Sequence, residues 1–257
     1  MHSPPPHFQE LCLLDFMHIV HLGILRDYGA SMAISMLESL ELAGTGDRAL
    51  KQLWVEFRAY CHRRHRKAPS GSLSLRLLNR TKRIEYPEMS TSAYKAITVK
   101  WFCQFISERA IGQANDDEYS RVRGTCAWCV CEFLHIVDTA GSFFSEDEWD
   151  RYEYACRGFM FAYARLAKLS AEAGVHLWRL RPKLHMFDHL LDQTREARAN
   201  PKTAACFGEE SFLGFLKRIA IKCHGASMLR TSLLRYMLYL ALRWQKCRLT
   251  GQPVPGD

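Results

Sequence analysis

The segment from Ser145 to Gly174 carries the sharpest structural instruction in the chain. Ser145-Glu146-Asp147-Glu148 fits a capping box. In that motif the serine hydroxyl accepts from the backbone N–H three residues on, and the glutamate reaches back to the serine N–H. The neighbouring acids suit the positive end of a helix dipole. The spacing predicts a helix from this cap to about Ala173, with Gly174 stopping it.

Similar punctuation recurs on both sides. Leu11 to Leu42 is apolar with helical spacing and ends in Gly44-Thr45-Gly46. Asp47 is placed to cap a helix from Arg48 to about Arg66, whose apolar residues Leu50, Leu53, Trp54, Phe57 and Cys61 recur at three- and four-residue steps. Ala68-Pro69-Ser70-Gly71-Ser72 breaks it. Leu73, Leu75 and Leu77 then alternate, which reads as a short strand or an extended arm. Tyr86-Pro87 is a further break. Helices follow over Ser92 to Ile111, Asp117 to Val137, Pro182 to about Arg198, Glu210 to His224 and Ser227 to Arg248. The expected fold is mainly α: one multi-helix globular domain over residues 1–257. Within it, insertion-like helices would span 26–180, and C-terminal helices over 181–250 would pack with 8–25. A chain of 257 residues that is 48% hydrophobic and 24% charged can bury a sizeable core and is not disordered by composition.

The charge is unevenly placed. The formal net charge is +8, which favours anionic partners. Phe57 to Ile84 holds nine Lys or Arg and no acid; Ser211 to Gly256 holds eight and again no acid. Two such blocks point to nucleic acid more than the net charge does, and Arg63, Arg64, Arg66, Lys67, Arg80, Lys82 and Arg83 are the phosphate-binding candidates. The alternative is that they are solvated faces of ordinary helices.

Ten irregularly spaced cysteines, with a Pro- and His-rich start instead of a secretory signal, suggest a reducing, intracellular compartment, and the nucleus if DNA is bound. No segment is long and charge-free enough to span a bilayer.

Three constellations could carry chemistry. Asp15-x2-His18 and His185-x3-His189 each place two donors on one face of a helix, and four such ligands would suit a structural Zn2+. The alternative is partly buried polar residues satisfied by hydrogen bonds. Cys126-x2-Cys129-x-Cys131, followed by His135, is half of a zinc motif without a second pair, and reads more simply as small apolar residues beside Trp128 and Phe133. Glu209-Glu210 could supply a Mg2+-binding carboxylate, but adjacent residues point apart and such sites need converging acids. Phosphate-binding loops and nucleophile motifs of diagnostic spacing are absent from the sequence.

Three segments together resemble the C-terminal part of eukaryotic cut-and-paste transposases of the CACTA-like group, which have an RNase H-like core. Asp15-Phe16-Met17-His18-Ile19-Val20-His21-Leu22-Gly23-Ile24 is similar to that family's D-P-M-H…L-G-V motif, with Phe16 where proline is usual. Pro182-Lys183-Leu184-His185-Met186-Phe187-Asp188-His189 resembles a P-K-x-H-x-x-x-H segment, and Glu210 falls where the last catalytic carboxylate is expected. The resemblance implies a structural zinc held by Asp15, His18, His185 and His189. It implies Glu210 as an active-site acid, with Mg2+ only in an intact core, and DNA as partner through its phosphate backbone. The family's upstream catalytic aspartates have no counterpart in the fourteen residues before Asp15. The expectation is therefore a truncated or domesticated, nucleic-acid-binding relative, without cleavage or strand transfer of its own. The competing expectation is a helical interaction scaffold with a basic surface and no catalytic activity.

Overall fold

The protein is described from a computed structural model, covering residues 14–39, 46–82, 84–206, 217, 220–221 and 227–250. These residues are mainly helical. Leu25–Ser39 is α1, Gly46–Arg63 α2, Ala96–Gly112 α3, Glu118–Thr139 α4, Glu146–Glu172 α5, Pro182–Arg195 α6 and Met228–Thr250 α7. The chain forms two compact units, Met1–Ala205 and Cys206–Asp257. The first holds α1 to α6. The second contributes α7, together with the segment around Glu210 and the 210–224 helix expectation, most of which lies outside the described residues. No helix among the described residues is long and apolar enough to cross a membrane.

The capping box forms as its residues require. Ser145 N–H donates to Glu148 Oε2 at 2.8 Å, and Glu148 N–H donates to Ser145 Oγ at 3.3 Å. The helix ends at a left-handed Gly174, with φ +69°. Asp117 caps α4 by accepting from Ser120 N–H at 2.8 Å, and Pro182 opens α6 at a position where its missing N–H costs nothing.

Asp47 departs from expectation. Its Oδ1 accepts from Leu75 N–H at 2.7 Å instead of capping α2, so it anchors the segment that follows the helix. That segment is no strand. Leu78 N–H reaches back to Ser74 O at 3.0 Å in a single helical turn, which buries Leu73 and Leu78. Leucine alternation misled because the segment coils into a turn: Leu73 and Leu78 are fully buried, while Leu75 and Leu77 pack on the core only in part.

The core of the first unit lies between α4 and α5, with α1, α3 and α6 packed around them. Phe133 on α4, Phe159 on α5 and Phe187 on α6 meet with ring centroids about 6 Å apart and are fully buried. Each such side chain contributes on the order of 2 kcal/mol of hydrophobic stabilisation. Cys126 and Cys129 are buried in the same core as Phe133, as the packing reading of the cysteines has it, whereas Trp128 is exposed. Burial raises their thiols, that of Cys129 to about 11, so they sit there as small hydrophobes. His135 is exposed.

Immediately before α1, Met17–Ile24 is wound as a π-helix, and Leu25 N–H closes on Val20 O five residues back. Gly23 explains why this segment can lie against α6. A Cβ there would stand 2.5 Å from Lys183 Cδ, whose ammonium donates to His18 O at 2.8 Å. His21, on the same turn, is buried and kept neutral: desolvation lowers its pKa to about 3.

Candidate nucleic-acid interface

The loop before α6 is pinned by one residue. Trp178 is fully buried in a left-handed conformation, φ +57°, which side chains this large rarely adopt. Its N–H donates to Ser31 Oγ at 3.0 Å, its indole Nε1 to Tyr119 Oη at 2.9 Å, and its ring packs on Tyr28 and Tyr163. A residue fixed this thoroughly fixes its neighbours. Arg179 is exposed, while Arg181 is turned to a charge network.

The facing loop, residues 74–92, is held by long-range bonds. Glu88 N–H donates to Leu78 O at 2.8 Å, Ser90 N–H to Leu77 O at 3.0 Å and Met89 N–H to Arg26 O at 3.2 Å. Arg80, 7% exposed, donates to His176 O at 3.0 Å and to Glu85 O. Tyr86 sets its ring edge-on to His176 at 5.3 Å.

Between the two loops lies an open groove of about 920 Å³. Its wall carries Arg76 and Arg179, the hydroxyls of Ser74, Thr81, Ser90 and Ser92, and two carboxylates, Glu85 and Glu88. Both carboxylates are engaged internally. Glu85 accepts from Thr81 N–H at 2.9 Å, Thr81 Oγ1 at 2.8 Å and Lys82 N–H at 3.0 Å, and the bond from the Thr81 hydroxyl is the leading reason its pKa is lowered. Glu88 binds Arg26 through one oxygen and Arg181 through the other. Arg76 and Arg179 are exposed and form no ion pair among the described residues. The groove therefore presents two exposed guanidiniums and several hydroxyls beside the ionised carboxylate of Glu85, with an exposed Ile84 and a half-exposed Tyr86 nearby.

Behind it the charges alternate in sign. Arg181 Nη2 donates to Asp27 Oδ1 at 3.0 Å and to Glu88, with its Nε 2.7 Å from Asp27 Oδ2 in the ion pair; Arg26 reaches Glu88 and Met89 O. Asp27 is buried, and desolvation raises its pKa to about 6 against the lowering effect of Arg181.

The seven basic candidates divide. Arg63, Lys67 and Lys82 are exposed, as phosphate contacts need to be. Arg64 is tied to Glu108 at 2.9 Å and lies over the Tyr60 ring. Arg66 donates to Gln104 at 2.8 Å and covers Trp101, while Arg80 is a buried strut. Arg83 lies outside the described residues. Sequence reasoning did not single out Arg76 or Arg179. Arg76 was visible as a member of the first basic block; Arg179 had no local signal, since its place depends on the burial of Trp178.

The four metal candidates form two pairs. Asp15 Oδ2 bonds His18 Nδ1, and the Nε2 atoms of His185 and His189 are 3.0 Å apart, one donating to the other. The π-helical segment that carries His18, with Asp15 just before it, packs on α6, which carries the second pair. Two imidazole nitrogens at that separation suit one tetrahedral ion, which needs two more ligands to make a structural zinc site. Among the described residues no three His, Cys, Asp or Glu side chains gather as a metal-binding set, so the structure shows two pairs and no tetrad. Glu210 is outside the described residues.

Compared with family models, curated proteins and solved structures, the chain matches none.

Proposed function

We propose that this chain binds nucleic acid through the phosphate backbone, with Arg76 and Arg179 in the groove as its central contacts. The observation that carries the reading is the pair of groove guanidiniums: Arg76 and Arg179 are exposed with no ion-pair partner among the described residues, while Glu88 is tied from behind to Arg26 and Arg181; Glu85 keeps its charge and opposes binding. Guanidinium forks and hydroxyls are the donors that phosphate oxygens take, and such contacts position a strand without reading its sequence. Tyr86 adds a ring on which an unpaired base can stack, which favours single strands over duplex. Exposed Arg63, Lys67 and Lys82 extend the basic field on the first unit. Descent from a cut-and-paste transposase belongs to the same proposal and rests on the three short motifs. No hydrolytic or strand-transfer step is part of it.

The test is fluorescence anisotropy of the full chain with labelled single-stranded and duplex DNA, titrated at several salt concentrations. Binding led by phosphates loses affinity steeply as salt rises, with single strands retained better than duplex. A log–log slope near zero contradicts the proposal. Tighter binding of a polyglutamate competitor than of DNA supports the interaction-scaffold reading.

A further inference from the structure

Arg123 lies within α4 and is 4% exposed. A guanidinium stays charged wherever it is placed, so burial obliges it to find an anion or a full set of acceptors. Arg123 has neither. Among the described residues its one hydrogen bond is a long 3.5 Å contact from Nη1 to Ser35 O, its buried Nε has no partner, and no carboxylate pairs with it. Arg80, the other buried arginine among the described residues, is answered by the carbonyls of Glu85 and His176.

Arg123 lines a cavity of about 360 Å³ at the start of α4 and the end of α5. The other polar groups in its wall are mostly able to donate. Asn115 contributes an amide, and Tyr119, Ser120 and Ser170 contribute hydroxyls. The Tyr119 oxygen accepts from Trp178 Nε1, which leaves its own proton to give. Two features oppose an anion. Asp117 reaches the same wall, and the Ser120 N–H that it accepts from at 2.8 Å turns its Oδ1 to the cap of α4 without cancelling its charge. The last carbonyls of α5 point this way, but those of Leu169, Ser170 and Ala171 accept from Ala173, Val175 and Gly174. The cavity shares no lining residue with the groove.

We propose that this cavity is a binding site for a small oxyanion, an inorganic phosphate or a short carboxylic acid, with Arg123 as its charged partner. The volume takes one such group and not a nucleic-acid strand. The bound anion completes the buried guanidinium and bridges α4 to the end of α5, so occupancy stabilises the first unit.

Equilibrium dialysis of the full chain against radiolabelled phosphate, with ionic strength held constant by chloride, tests this directly; acetate and succinate arms identify a carboxylate source. The expected result is saturable binding of one oxyanion per chain, with a melting temperature that climbs with its concentration. Arg123→Met abolishes it. Should Arg123→Met fail to fold, Asn115→Ala removes only a wall donor and weakens binding roughly fivefold. The double variant Arg76→Ala/Arg179→Ala leaves it unchanged. The proposal is overturned by absence of saturable binding in all three arms, by binding indifferent to both Arg123→Met and Asn115→Ala, or by binding lost instead in the groove variant.

Discussion

Two clusters of charge flank the loop of residues 81–90, built from the same residue types and doing opposite things. In the inner one, Arg26, Asp27, Glu88 and Arg181 alternate in sign, and each charge touches its opposite. In the outer one, Arg76 and Arg179 face an open groove without ion-pair partners among the described residues, and Glu85 beside them takes hydrogen bonds only from neutral donors. Glu88 belongs to both, lining the groove while its oxygens are held from behind. Charge satisfied inside the protein serves the fold; charge left over is free for a partner. Composition alone, which counts all of these residues equally, does not separate the two roles.

The largest effect expected from breaking this contrast is on stability, through Glu88. Glu88→Gln removes the shared partner of Arg26 and Arg181 and leaves two partly buried guanidiniums underserved. Urea unfolding should show a loss on the order of 2 kcal/mol, with the denaturant slope unchanged. The same substitution leaves the groove's own cations in place. Weakened DNA binding without lost stability would show that Glu88 works for the groove and not for the fold.

A smaller effect follows from Asp27. Its carboxyl titrates near 6 in the folded protein, above the ordinary carboxylate value, because burial disfavours the charged form. The unfolded chain then releases this proton first as pH rises. The contribution of Asp27 to stability is fully present below about pH 4 and is lost as pH rises through 6. Subtracting the pH–stability curve of Asp27→Asn from that of the wild type should isolate a fall confined to that window. A flat difference would mean that Arg181 offsets the burial completely.

Much of the fold was legible in the sequence where a few adjacent residues settle the outcome. Ser145 and Glu148, Gly174, and Pro182 mark helix ends because caps and breakers act over one turn. The packed role of Cys126 and Cys129 followed from their helical spacing beside Phe133. The candidate site was legible only as a basic block. Arg64, Arg66 and Arg80 read as phosphate ligands until their partners Glu108, Gln104 and His176 came into contact from 38 to 96 residues away. Asp47 holds Leu75 for the same reason, and Arg181 meets Asp27 across 154 residues. Spacing rules reach three or four residues; which cation remains available is decided by the tertiary fold.

The smallest expected change in stability accompanies the change in binding that matters most. Arg76→Ala/Arg179→Ala removes two exposed side chains without ion pairs among the described residues, so unfolding should move by no more than about 0.5 kcal/mol per site. The decisive measurement is the salt dependence of single-stranded DNA affinity for this double variant beside the wild type. Two lost phosphate contacts should weaken binding and reduce the log–log salt slope by about 1.4, or 0.7 per contact on a single strand. An unchanged affinity and slope in a variant that folds like the wild type would contradict the claim that this groove holds nucleic acid.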